Sequence, residues 1–402
     1  MSSEYQPKFN RMSLNVLMVA SAALIVIFGQ SARQMDQKPL PPAPKLDISI
    51  WHADSGAKIW YSPYFSETLE IQLWYEAGSA FDGNYTGRAS LLAKLLKFES
   101  KSLQLPMQVT LDPDFLKISL HLSTDPIQMK RQIDKTVTLL YRPNLPSKGL
   151  KTLQSIDQVP SLSDELWQQA YASHPYGQNT SASQNKITRA QLQKYQRSHI
   201  HPGRLNASIV GDISERGAQI IMESLLPPSK YKASKGDLLV SKAITNIENR
   251  QQLIAVWPGE TNKTTEGNDL KDKSIKRQKQ QIKTHINKQM VVQLLKAVHG
   301  DSVRWQPSKA NSTLLIQQSN QMKHAVQDQI DSDMIAHQTH QLAKKWLAQV
   351  NNASGLSLYL VQLNAYQLPV NQLNKNLIEL DGWDEDDWDT ASEMLLPWLY
   401  KD

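Results

Sequence analysis

The chain has 402 residues, 20% of them charged and 7% aromatic, so it is long enough for roughly two or three domains of ordinary globular composition. It contains no cysteine, which excludes disulfides, thiolate catalysis and cysteine zinc sites. The net charge of +6 is small against 44 cationic residues, and the main basic cluster lies in a stretch without aromatic residues. A nucleic-acid-binding surface is therefore not indicated.

The first 45 residues have the pattern of a membrane anchor followed by a tether. Residues 12–29 carry no charge, and the length of this segment is near the shortest that can span a bilayer. Lys8 and Arg11 precede this transmembrane segment and favour a cytoplasmic tail at residues 1–11. A proline-rich tether follows at residues 30–45. The alternative is a cleaved signal peptide, with the small residues Gly29 and Ser31 near the cleavage point.

Residues 46–228 alternate between strand-like and helix-like patterns. Residues 69–75 place Leu69, Ile71 and Leu73 on one face of a strand, and residues 116–122 and 205–211 also have strand patterns. Apolar residues at helical spacing follow at residues 129–140. Thr188 and Gln191 form a capping box before another helix. This segment is therefore predicted to be an α+β domain.

Residues 235–402 are predicted to form a second domain of the same type. Residues 252–257 and 314–316 have strand patterns, a helix resumes at Met290, and the chain is mostly helical from Asp331 onward. Residues 259–283 are polar and highly charged, and we expect a disordered loop there. The predicted fold class is α+β, with two α+β sandwich domains, each a sheet packed with helices, after the transmembrane helix.

Three stretches together resemble the insulinase-like (pitrilysin) zinc metallopeptidase family, the third, at residues 363–396, more weakly. The first is a strand ending in Ala-Gly-Ser, followed by an acidic turn and a helix that begins Gly-x-Ala. The second is a His-Pro-Tyr-Gly loop, a helix, and a strand ending in Val-Gly-Asp. The closing helices after residue 363 match more loosely. The matching residues are Ala77, Gly78, Ser79, Gly87, Ala89, His174, Pro175, Tyr176, Gly177, Pro202, Val210, Gly211 and Asp212.

The zinc motif of this family is missing from the chain. In the family a helix carries His-x-x-Glu-His, whose two histidines bind Zn²⁺ while the glutamate is the general base. The aligned residues here are Ser90, Ala93 and Lys94. The resemblance places a third ligand, a glutamate, within residues 148–159, where Asp157 is the only acidic residue. We therefore expect that the zinc cofactor of the family, and the catalysis it supports, are lost.

Other candidate sites are weaker. His337 and His340 stand three residues apart near Asp331 and Asp333, and could hold a metal, although a solvated helix face explains them as well. Ser90 and Lys94 have the spacing of a nucleophile and its base, but no oxyanion hole is recognisable. His174, His199 and His201 are expected to pack rather than to bind metal.

The resemblance implies a non-catalytic, membrane-anchored homologue that pairs with an active insulinase-like peptidase and helps to enclose an extended peptide by strand pairing. The body would lie in the periplasm, held to the inner membrane by a single pass, or be secreted there after signal cleavage. One alternative is an active zinc metalloendopeptidase with other ligands. Another is a structural subunit of an envelope complex. Neither a cofactor nor a nucleic-acid partner is expected.

Overall fold

The computed structural model describes residues 39–83, 85–141, 147–154, 171, 176, 186–226, 247–248, 252–258, 271–300, 303–306, 309, 311–317, 326 and 329–396. Residues 42–402 form one compact unit. The predicted tail at 1–11 and membrane segment at 12–29 lie outside the described residues. Within the part described, no helix is both long enough and apolar enough to cross a bilayer.

The first half of the chain contains a six-stranded sheet. Its strands are β1 (Ser49–His52), β2 (Lys58–Pro63), β3 (Thr68–Tyr75), β4 (Met107–Leu111), β5 (Leu116–Ser123) and β6 (Leu205–Gly211). Their order is β1-β2-β6-β3-β5-β4, and only the β2–β6 pair is parallel. The strands predicted at residues 69–75, 116–122 and 205–211 are confirmed. The alternation of apolar residues at Leu69, Ile71 and Leu73 turns one side of β3 into the main core.

Helices cover that side of the sheet. They are α1 (Arg88–Ser102), α2 (Pro126–Tyr141), α3 (Ser147–Gln154), α4 (Arg189–His199) and α5 (Glu215–Leu225). The predicted capping box is present at the start of α4, where the Thr188 side chain accepts from the Gln191 N–H and the Gln191 side chain accepts from the Thr188 N–H. The main core lies between these helices and the sheet, and its largest contribution comes from leucines of α1 and alternate residues of β3 and β5.

The second half contains a four-stranded sheet with the order β7-β8-β10-β9, whose described pairs are antiparallel. The strands are β7 (Ile247–Glu248), β8 (Gln252–Pro258), β9 (Val303–Gln306) and β10 (Asn311–Gln317). The helices are α6 (Lys271–His299), α7 (Ser332–Val350), α8 (Ala353–Ala365), α9 (Gln372–Asp381) and α10 (Glu385–Leu395). The mixed α+β class is confirmed.

The prediction of a disordered loop at residues 259–283 is wrong for the second part of that range. From Lys271 the chain is helical and continues as α6 to His299. Lysine, glutamine and arginine have high intrinsic helix propensity, and the apolar residues from Ile282 onward bury that end of the helix. Residues 259–270 lie outside the described part of the chain.

Helix α8 of the second half packs on the opposite side of the first sheet, against β2, β3 and β6. The contact is polar as well as apolar. The Ser208 hydroxyl donates to the Ser357 carbonyl at 2.7 Å, and the Asn364 amide donates to the Lys58 carbonyl at 2.9 Å. Trp74, on the same side of the sheet, packs with apolar residues of α8. The first sheet is therefore covered on both sides, and both halves of the chain supply the covering helices. The predicted boundary between the two domains, at residues 228–235, lies outside the described residues.

Candidate functional site

Helix α1, which carries the positions of the lost zinc motif, is anchored at its first turn by a buried carboxylate. Asp82 is fully buried and accepts the N–H groups of Gly87 at 2.6 Å and Ala89 at 2.7 Å. Gly87 has φ of +90°, a conformation that favours glycine. Burial raises the pKa of Asp82 to about 6, against the lowering effect of these hydrogen bonds. The matching glycine and the acidic turn before it thus set where α1 begins.

The sides of α1 differ sharply in burial. Leu91, Leu92 and Leu95 are fully buried in the main core. Ser90, Ala93 and Lys94 are half-exposed on the outward part of the helix, and Ser90 and Lys94 lie one turn apart on the same face. Burial lowers the pKa of Lys94 from its usual value. The helix therefore presents a hydroxyl, a methyl group and an ammonium group at the three positions that the sequence resemblance aligns with the zinc motif.

Helix α3 packs against α1 and covers part of the window, residues 148–159, in which the third ligand is expected. A Cβ at Gly149 would lie 3.3 Å from both the Leu95 side chain and the Glu99 Oε1 atom, so the two helices are in direct contact. The sequence of α3, SKGLKTLQ, offers no carboxylate. Asp157 lies outside the described residues. Among the described residues, no group of three His, Asp or Glu side chains is arranged to hold a metal ion.

Strand β4 follows α1 and forms one edge of the sheet among the described strands. In its ladder with β5, the Pro106 carbonyl accepts from the His121 N–H, and the Asp112 N–H donates to the Phe115 carbonyl. Because such pairs alternate along an antiparallel ladder, Val109 and Leu111 direct their backbone N–H and C=O groups away from β5. No described strand pairs with that side of β4.

The His-Pro-Tyr-Gly loop at residues 174–177 is described at Tyr176 alone; His174, Pro175 and Gly177 lie outside the described residues. The buried Tyr176 hydroxyl donates to Asp114 Oδ1 at 2.5 Å, and the Lys309 N–H donates to Asp114 Oδ2 at 2.5 Å. The Lys309 ammonium lies 2.6 Å from Glu76. Burial raises the pKa of Asp114 to about 6. Asp114 therefore joins the β4–β5 turn to the Tyr176 segment and to the second half of the chain.

Two further glycines of the matching motifs allow close backbone approach. A Cβ at Gly78 would overlap the carbonyl oxygens of Asp112 and Pro113, and one at Gly211 would overlap the Leu69 side chain. Gly211 ends β6, and Asp212 follows it as an exposed residue. These motif residues shape the sheet and its turns rather than a reacting centre.

The other candidate residues are engaged in helix and core contacts. Asp331 caps α7 by accepting the Met334 N–H at 2.8 Å, and His340 Nδ1 lies 3.0 Å from the Ala336 carbonyl. His199 stacks on Tyr195 with 4.2 Å between ring centroids, and burial lowers its pKa to about 4. Helix α4, which carries His199, packs against α1, where the Arg88 guanidinium lies 5.0 Å from the centroid of the Tyr195 ring.

The comparisons with known proteins agree with the motifs. No protein-family model and no curated protein matches the chain. A solved M16 peptidase inactive domain from Pseudomonas fluorescens matches with a TM-score of 0.68 and 15% identity, over 87% of this chain and 96% of that one. The chain has the M16-like peptidase fold. The resemblance to insulinase-like peptidases is thus confirmed at the level of the fold.

Two other solved structures are similar to most of this chain. A chain of complex III2 from Candida albicans matches with a TM-score of 0.62 and 11% identity, over 86% of this chain and 93% of that one. The periplasmic protease PqqL from Escherichia coli matches with a TM-score of 0.59 and 13% identity, over 90% of this chain but 46% of that one. The M16-like fold of this chain therefore has the size of about one half of PqqL.

The sequence did not single out Asp114 or Lys309. Asp114 stands in an Asp-Pro-Asp turn that is typical of any hairpin, and Lys309 is one lysine among many. The sequence offered no signal for their contact, because 195 positions separate the two residues along the chain.

Proposed function

We propose that this chain is a non-catalytic M16-like homologue that acts as the partner subunit of an active zinc peptidase and helps to enclose its peptide substrate. The observation that carries the proposal is α1, which keeps its buried leucines but presents Ser90, Ala93 and Lys94 on its outward part. The helix and its support remain, while the groups that would bind zinc and activate water are replaced.

The charge of Lys94 argues against metal at this position. An ammonium group and a dication in adjacent ligand positions repel each other by several kcal/mol, even at the effective dielectric of a protein surface. Serine is a poor zinc ligand, and alanine cannot act as a base. Because α3 adds no carboxylate, a single substitution does not repair the site.

In this proposal the chain binds a peptide at the edge strand β4. The outer side of β4 offers the backbone groups of Val109 and Leu111 for pairing with an extended peptide. The size match to one half of PqqL supports a partnership in which another half supplies the zinc. In this proposal residues 12–29 hold the body to the inner membrane, and the body lies in the periplasm.

A structural subunit of an envelope complex is the second candidate. The similarity to a chain of complex III2 supports it, since the same fold is used there within a large assembly. An active zinc peptidase with other ligands is a third candidate, which a metal measurement can decide.

The test uses the full chain in detergent. Zinc content, measured by mass spectrometry, and cleavage of unstructured peptides should both be absent. Crosslinked complexes purified from cells that produce the chain should contain a zinc peptidase with an intact His-x-x-Glu-His as the main partner.

Stoichiometric zinc with chelator-sensitive cleavage would overturn the proposal. A main partner that is not a peptidase would favour the structural subunit instead. If zinc is found, Lys94→Ala and His337→Ala variants locate it, because only loss of the residue near the metal changes the affinity.

A further inference from the structure

Helix α1, which packs on the edge strand β4, and helix α3, which packs on α1, carry a local excess of positive charge. Together they have six cationic residues and one carboxylate, a net charge of +5. The cationic residues are Arg88, Lys94, Lys97, Lys101, Lys148 and Lys151, and the carboxylate is Glu99.

The outward part of α1 forms a lysine stripe, which comprises Lys94, Lys97 and Lys101. Their spacing of three and four residues puts them on one face of the helix. Lys97 and Lys101 are exposed, and Lys94 is half-exposed. Glu99 lies toward α3, where its Oε1 atom would be 3.3 Å from a Cβ at Gly149, so it does not interrupt the stripe. This face of the helix is positively charged over its length.

The helix that carries the lysine stripe lies on the edge strand β4. Helix α1 packs directly on β4, and Met107 and Val109 turn their side chains into the core beneath the helix. A strand added to β4 would lie about 4.8 Å farther out, on the outer flank of α1. Its residues opposite Val109, and every second residue from there, would face the side of the sheet that α1 covers.

We infer that the peptide that pairs with β4 is acidic, with carboxylates at alternate positions that meet the lysine stripe. This inference rests on the proposed function and specifies the class of its ligand. Strand pairing supplies affinity through the backbone, and the lysines select the side chains. An anionic membrane surface would also meet the positive charge, but it would not use the backbone groups of Val109 and Leu111.

The test measures peptide binding to the full chain in detergent by fluorescence anisotropy. Three ten-residue peptides share valine at odd positions and carry glutamate, glutamine or lysine at even positions. We expect at least tenfold tighter binding of the glutamate peptide than of the lysine peptide, and we expect that this preference weakens as salt is raised. A glutamate peptide with alternate backbone nitrogens methylated should lose at least tenfold in affinity.

The variant Lys97→Glu/Lys101→Glu should reverse the preference. Both side chains are exposed, so the fold is retained, and circular dichroism verifies this. The matched control is Lys344→Glu/Lys345→Glu, which makes the same charge change at exposed positions of α7. It should alter affinity by less than twofold.

The outcomes separate the inference from the proposed function. Equal affinity for the three peptides overturns the acidic preference and leaves the peptide-binding role standing. Absence of binding for all three overturns the peptide-binding role and the inference with it. If methylation has no effect and anionic phospholipid vesicles displace the glutamate peptide, the stripe is a membrane-binding surface and the inference is wrong.

Discussion

Asp82→Ala tests whether the start of α1 depends on one buried carboxylate. In the structure this side chain accepts the N–H groups of Gly87 and Ala89, which have no other acceptor at the first turn of a helix. Removing the carboxylate leaves both donors unsatisfied in a buried place. At about 1–2 kcal/mol for each group, we expect the variant to lose about 2–4 kcal/mol of the free energy of unfolding at pH 7.5.

The loss should be larger at pH 5. The folded-state pKa of Asp82 is about 6, above the usual 3.8, so the folded protein binds a proton there that the unfolded chain releases. The wild-type protein therefore gains stability from this group as the pH falls through 6. Linkage gives about 1.4 kcal/mol more stability from Asp82 at pH 5 than at pH 7.5, which the variant cannot gain.

Urea unfolding followed by circular dichroism measures these free energies on the full chain in detergent. Hydrogen exchange measures whether the amides of α1 open more often in the variant. Asp134→Ala is the control, because Asp134 is exposed on α2, and it should change stability by less than about 0.5 kcal/mol. A loss below about 1 kcal/mol, or unchanged exchange in α1, would refute the reasoning.

Three further predictions concern the packing of the sheet. Gly78→Ala should destabilise by more than about 2 kcal/mol in urea unfolding, because the new Cβ overlaps the Pro113 carbonyl oxygen. Asn364→Leu should cost about 1–3 kcal/mol in the same assay, because carbonyl groups of β2 and β6 lose their donor. His121→Ala should cost about 1–2 kcal/mol at pH 5.5 and less at pH 8.5, since His121 donates to Glu70 at 2.6 Å.

The pH dependence expected for His121→Ala follows from the shifted pKa values of His121 and Glu70. The hydrogen bond to Glu70 raises the pKa of His121 above 6.5, so its contribution is complete below that pH and is lost as the pH rises through the folded value. Burial raises the pKa of Glu70, but hydrogen bonds from His121 and Thr68 lower it more, so this contribution is lost below about pH 4.5. The His121–Glu70 pair therefore stabilises the fold most between these two pH limits.

Matched substitutions serve as controls for these three variants. Gly382→Ala places its Cβ in open space and should be nearly neutral. Asn351 and His52 are exposed, so Asn351→Leu and His52→Ala should change stability by less than about 0.5 kcal/mol at either pH. Losses equal to those of the controls would show that the contacts at Gly78, Asn364 and His121 do not stabilise the fold.

Local patterns were enough to predict several elements. The capping box at Thr188 predicted where α4 begins, because a cap depends on residues within one turn. The positions aligned with the zinc motif, Ser90, Ala93 and Lys94, lie within a single helix, and their assignment stays a prediction from the sequence. Local polarity led to the wrong prediction of a loop at the start of α6, where the highly charged residues from Lys271 form a helix that continues into the core.

The sequence alone determined that Leu69, Ile71 and Leu73 share one side of a strand. Only the tertiary structure decided that Glu70 and Gln72, on the other side of β3, are buried as well. They are covered by α8, which begins almost 300 residues later. Side-chain periodicity reports which residues share a side, but the element that covers that side depends on packing between distant parts of the chain.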